Sequence, residues 1–200
     1  KNPKSKISKI ANAGKKTIAI RFPKHKVARN LLKIINVPLA APSANISSKL
    51  SPTCAKDVVD EFGKKIKFIL DGGQCDVGLE STMIDLTKQP SILRQGIVTR
   101  GKINKILNKK ITFSKNQKII KAPGQFKLHY SPGIPIYLNK TKIKKNGAFI
   151  AFGKKFSNNQ NYYNLSRNRS LREAANNLYK VMRKIKNKKY SSISVCKIPN

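Results

Sequence analysis

Sixteen residues, PLAAPSANISSKLSPT (Pro38–Thr53), carry one charge, Lys49, in a chain that holds 43 Lys and Arg. The small side chains would let a ligand approach the backbone closely, and Ser43, Asn45, Ser47 and Ser51 offer neutral hydrogen-bonding groups. Ser51 is of the type that caps a helix and Pro52 suits a first helical position, so the spacing predicts a helix whose unpaired N–H groups face the loop and favour a phosphate. A turn satisfied by Ser43 and Asn45, with Ser51 as a cap only, accounts for the same residues. Spacing alone leaves both readings open. Arg21, closing TIAIR, and Arg94, closing SILR, could each grip a carboxylate or phosphate through two N–H donors, or lie at the surface. DGGQCDVGLESTMID (Asp71–Asp85) sets Gly72, Gly73 and Gly78 ahead of Glu80, Ser81 and Thr82, which suits either a ligand loop or a glycine-rich hairpin.

The familiar nucleotide signatures are missing. Gly73 and Gly78 have P-loop spacing, but Leu79 and Glu80 stand where Lys and Ser or Thr belong, and no GxGxxG opens a helix. His25 and His129 have no nucleophile close by in sequence, so no residue is assigned as nucleophile or general base. Cys54, Cys75 and Cys196 form no CxxC pair. No metal site is therefore expected, and the thiols suit a reducing, cytoplasmic setting. A site of Arg, Ser, Asn and backbone amides fits phosphoryl or adenylyl transfer by positioning and electrostatic stabilisation.

These residues need a scaffold, and the sequence supplies one. TIAIR (Thr17–Arg21), IKFIL (Ile66–Leu70), TMIDL (Thr82–Leu86) and SILR (Ser91–Arg94) read as strands, with Ile18 and Ile20 on a core face. VARNLLKII has helical spacing and stops at NVP, and Val58, Val59 and Phe62 mark a helix that Gly63 ends. From about Lys109 to Gly133 no period is sustained, which reads as a connection. IPIYL, GAFIAFG, YYNL and SSISVCKI then read as strands around a helix from about Ser170 to Lys186, with Leu171, Ala174, Ala175, Leu178, Val181, Met182 and Ile185 as its apolar side. The expected architecture is α/β, in three parts at 1–108, 109–133 and 134–200.

The 200 residues hold 39% hydrophobic side chains and a net charge of +35, enough for a buried core and for anionic partners. The charge is either a functional basic surface or a Lys and Asn bias along the chain. Only eight of the cations are Arg, so each Arg is the more informative. No apolar run approaches the roughly 20 residues that span a bilayer, and no membrane partner is expected. The chain opens without Met and stops in a strand pattern, which reads as truncation at both ends.

In order, TIAIRFP, VPLAAPSANISSKLSPT, ILDGGQCDVGLESTMIDL and ILRQGIVT resemble the YrdC-like family, and APGQFKLHYSPGIPIYL resembles the linker of its long form, the threonylcarbamoyl-AMP synthases. The resemblance implies a twisted open sheet with helices, then a linker and a small Rossmann-like α/β domain. It implies that L-threonine, bicarbonate or CO2 and ATP give threonylcarbamoyl-adenylate and pyrophosphate, with Mg2+, ahead of transfer to tRNA by a separate complex. Carried over by motif, Thr17, Ser43, Asn45, Ser51, Arg94 and Tyr130 fall on the nucleotide side, Arg21, Ala41 and Ser81 line the threonine end, and His129 lies in a lid. Leu128 departs from the family's usual pattern before the His. The family's KxR motif has no counterpart here, so residues 1–200 alone are expected to be inactive. A non-catalytic, RNA-binding member, including a double-stranded RNA binder, remains the alternative. A carbamoyl-transfer module of hydrogenase maturation is disfavoured by the missing cysteine-rich motifs.

Overall fold

The computed structural model describes residues 7–114, 130–156 and 159–199. The α/β class expected from the sequence is what the structure shows, in two sheets. Helices α1 (Lys26–Ile35) and α2 (Ala55–Phe62) come first, then strands β1 (Met83–Asp85) and β2 (Ser91–Arg94), helix α3 (Arg100–Leu107) and strand β3 (Thr112–Phe113). β1 pairs antiparallel with β2, and β2 pairs parallel with β3, which lies in the stretch expected to be a connection. Strands β4 (Ile136–Tyr137), β5 (Ala148–Ala151), β6 (Tyr162–Asn164) and β7 (Ile193–Val195) form a second sheet in the order β4-β7-β5-β6, with α4 (Leu171–Asn187) between β6 and β7. Every pairing in that sheet is parallel.

Local chemistry explains the helix ends. α1 stops at Asn36, whose left-handed backbone lets its N–H reach the Leu32 carbonyl, and α2 stops at Gly63. Ser170 caps α4 by accepting a hydrogen bond from the Glu173 N–H at 3.2 Å. The buried side of α4 is Ala174, Tyr179, Val181, Met182 and Ile185; Leu171, expected among them, is half exposed. β5 is buried along its length, as a central parallel strand should be. Phe149, Ile185 and Ile193 have no solvent exposure, and each such side chain contributes about 1.5–3 kcal/mol by leaving water.

Two expected strands do not form. Thr17–Arg21 and Ile66–Leu70 have no ladder partner among the described residues, and Ile20 and Phe68 stand 81% and 89% exposed. β-branched and aromatic residues favour strands only where a neighbour satisfies the backbone and covers one face. The core around β1–β3 is correspondingly small: Ile92, Ile103 and Ile111, with Ile84 against them.

Tyr179 lies in the larger core, and burial, with the neighbouring Tyr130 and Glu80, pushes its phenol well above the ordinary value of 10.0. The unfolded chain's tyrosine ionises near pH 10 while the folded one keeps its proton, so this contribution is full below that pH and is lost as pH rises above it. The stability difference between the wild type and Tyr179→Phe should accordingly change with pH only above about 10. Urea midpoints taken from neutral pH upward check this; a gap that stays constant through pH 11 refutes it.

Candidate functional site

The quiet stretch is held from several sides. Leu50 is 2% exposed and belongs to the core of the second sheet. The chain returning at Ser131 forms a parallel bridge with Lys49, and the Ser131 N–H donates to the Ser48 carbonyl at 3.0 Å. Arg183 of α4 donates through Nη2 to the Leu50 carbonyl at 2.6 Å and through Nε to the Ser51 carbonyl at 3.4 Å. It also pairs with Glu61 Oε2 at 3.3 Å and Asp57 Oδ2 at 3.7 Å. Glu61 in turn accepts from the Ile46 N–H at 3.3 Å. Gly78 lets this packing close: a Cβ there would lie 2.6 Å from the Asn176 carbonyl of α4.

Ser51 does not cap a helix. α2 begins three residues past Pro52, and its entry is closed by Asp57, whose Oδ2 accepts from the Thr53 N–H at 2.7 Å and the Thr53 hydroxyl at 3.0 Å. The Ser51 hydroxyl instead donates to Glu80 Oε1 at 2.5 Å, a charge-assisted bond that outcompetes capping. The expected Ser51-capped helix start is thus replaced by Asp57 closing on Thr53 and by the Ser51–Glu80 pair.

Glu80 is the centre of a chain of polar contacts. Its Oε2 lies 3.9 Å from Arg94 Nη2. Arg94 donates through Nε to the Ser81 carbonyl at 3.1 Å and through Nη1 to the Tyr130 hydroxyl at 3.0 Å. Gly96 lies so close to Glu80–Thr82 that a Cβ would meet the Glu80 carbonyl at 2.3 Å. Tyr130 stacks on Tyr179 with ring centroids 5.7 Å apart and holds a left-handed backbone, φ 58°, a conformation that costs a bulky residue about 1 kcal/mol. Burial and the nearby Glu80 raise the Tyr130 phenol above its ordinary value, against the opposing pull of Arg94, so it stays protonated at neutral pH.

Ser51, Ser81, Arg94 and Tyr130, singled out from sequence, are thus brought together. Asn45 lies beside them in the chain and locks its own loop, donating to the Ile46 and Lys49 carbonyls at 2.9 and 3.1 Å, while its buried Oδ1 has no partner among the described residues. Thr17, Arg21, Ala41 and Ser43 are exposed, and no hydrogen bond or ion pair ties their side chains to the cluster. His129 lies outside the described residues. Among the described residues no three His, Cys, Asp or Glu gather as a metal site. The arrangement offers an oriented guanidinium, hydroxyls and backbone groups, which can bind and stabilise an anion.

Sequence reading placed Glu80 in a possible ligand loop without giving it a role, and passed over Arg183. Their signal is scarcity: the chain has eight acidic residues, so a half-buried carboxylate in a glycine-rich loop is informative, as is an Arg beside the apolar side of a helix.

Residues 1–96 match the family model described as Telomere recombination, and residues 98–200 match that of the threonylcarbamoyl-AMP synthase C-terminal domain. The threonylcarbamoyl-AMP synthase of Pyrococcus abyssi is 39% identical over 140 residues, covering 67% of this chain and 41% of the relative. That of Schizosaccharomyces pombe is 40% identical over 155 residues, covering 72% and 38%. The crystal structure of P. abyssi Sua5 complexed with L-threonine is similar with a TM-score of 0.83 at 28% identity, covering 96% of this chain and 62% of that one. The chain spans about two-fifths of the length of these curated relatives. No helix among the described residues is long and apolar enough to cross a membrane.

Proposed function

This chain belongs to the threonylcarbamoyl-AMP synthase family, and from that membership we propose that the full-length protein makes L-threonylcarbamoyladenylate and pyrophosphate from L-threonine, bicarbonate or CO2, and ATP. The observation that best supports the reading is Arg94, fixed at once by Ser81, Glu80 and Tyr130. In the proposed reaction the threonine amine takes up CO2 as a carbamate. A carbamate oxygen attacks the α-phosphorus of ATP, the bond to the bridging oxygen breaks, and pyrophosphate leaves with the electron pair. Charge builds on the phosphorus oxygens and the leaving group, where a pre-oriented guanidinium is worth most.

Arg94, Ser51, Tyr130, Thr17, Ser43 and Asn45 take the nucleotide side, and Arg21, Ala41 and Ser81 the threonine end, with Arg21 on the amino-acid carboxylate. His129 belongs to a lid within the 109–133 connection, past the β3 pairing, between a catalytic part at 1–108 and an α/β part at 134–200. Mg2+ arrives as part of the ATP complex, held chiefly by phosphate oxygens; Glu80, the cluster's carboxylate, is already held by Ser51. The setting is the cytoplasm, and the product passes to a tRNA-modifying complex.

The test is pyrophosphate release by the full-length protein with threonine and bicarbonate omitted in turn. Release should stop with either omission; release indifferent to threonine overturns the reading. The net charge of +35 favours a second reading, a non-catalytic RNA binder, whose mark is RNA affinity that falls steeply with salt and survives Arg21→Ala.

A further inference from the structure

The parallel strands of the second sheet open their carboxyl ends on one edge, and a cavity of about 760 Å³ lies there. Its walls come from the segments that follow all four strands, and in open parallel sheets this is the edge where small ligands sit. The volume suits a small organic molecule, for which sites run from about 300 to 1,000 Å³.

Charge narrows the ligand class. Six of the thirteen lining residues are cations, Lys140, Lys154, Lys155, Arg167, Arg169 and Lys197, and none is a carboxylate. At the chain average of 43 in 200, about three cations would line it. The cleft is thus richer in cations than the chain as a whole.

The wall carrying the two Arg is braced. Asn164 Nδ2 donates to the Gly153 carbonyl at 2.7 Å, and the Gly153 N–H donates to the Ser166 carbonyl at 2.7 Å. Ser166 donates through Oγ to Glu173 at 2.5 Å and accepts from the Ser170 N–H at 2.9 Å, so the acid nearest in sequence is already engaged. Gly153, with φ 95°, lets the Arg169 stem lie against it. Phe156 adds an apolar surface and is held by Phe149, ring centroids 5.2 Å apart. A braced basic wall facing an aromatic ring is complementary to a planar base bearing phosphate.

We propose that this cleft binds a nucleoside phosphate, with its phosphate on Lys154 and Arg169 and its base against Phe156. The site is separate from the Arg94 cluster and does not depend on the synthase reading. Backbone amide NMR of the full chain, titrated with AMP, with inorganic pyrophosphate and with adenosine, tests it. AMP should move the Gly153, Lys154 and Lys197 amides saturably, pyrophosphate should move a subset, and adenosine should bind at least tenfold more weakly than AMP. Lys154→Glu and Lys197→Glu reverse exposed charges outside the core and should each weaken AMP, read at the Gly153 amide, about tenfold, whereas Lys142→Glu, outside the cleft, should leave it within twofold. Amides unmoved by millimolar AMP, equal weakening by Lys142→Glu, or shifts produced by tRNA alone would each overturn the proposal.

Discussion

Arg183→Ala will lower the unfolding free energy by about 3–5 kcal/mol, the largest stability loss expected of any side chain outside the apolar core. Arg183 is 13% exposed at its side chain and faces two carboxylates, with Glu61 only 6% exposed. Removing the guanidinium leaves that enclosed carboxylate without its counter-ion and strips a donor from each of the Leu50 and Ser51 carbonyls. An enclosed acceptor left unpaired costs about 1–3 kcal/mol. Arg183→Met keeps the stem and should lose nearly as much as Arg183→Ala. Adding Glu61→Gln to it should restore part of the loss, because the stranded charge is then gone. The measurement is the urea midpoint at unchanged slope, and an Arg183→Ala loss below about 1 kcal/mol would show that the pair is a surface contact.

The second large effect is on activity. In the full-length protein, Arg94→Ala should cut threonine-dependent pyrophosphate release about a hundredfold, the scale on which one pre-oriented donor to a developing anion acts. Arg94→Lys should not restore it, because one ammonium cannot serve Ser81, Glu80 and Tyr130 in the fork geometry of a guanidinium. Tyr130→Phe removes a single neutral hydroxyl and should cost only several-fold, in line with about 0.5–1.5 kcal/mol for one hydrogen bond. Turnover of Arg94→Ala within threefold of wild type would reduce Arg94 to a tie between the returning chain and β2.

The elements that were legible in the sequence are those whose causes are local. α1, α4, the end of α2 and the four strands of the second sheet announce themselves by apolar period and by end signals such as Gly63 for α2 and Ser170 for α4. Thr17–Arg21 and Ile66–Leu70 show the limit, because strand formation needs a partner that no local pattern specifies. Ser51 shows it at the site. Its neighbourhood favours a cap, yet its hydroxyl goes to Glu80, 29 positions away. Arg94 and Tyr130 were legible as candidates, but their union through Glu80 and Ser81 is a tertiary fact. Thr17, Arg21, Ala41 and Ser43 remain assigned by motif alone.

Arg183 and Leu50 are joined across 133 positions, and that separation bears on the order in which the molecule is made. A ribosome adding about 5–20 residues per second needs on the order of ten seconds to go from Ser51 to Arg183. Throughout that interval the Pro38–Thr53 stretch has emerged without the anchor that shapes it, and closing so long a loop comes late in folding. Pro38, Pro42 and Pro52 interrupt the strand pairing through which a waiting segment aggregates. The same composition that keeps the stretch quiet in the finished protein protects it during biosynthesis, while it waits for Arg183.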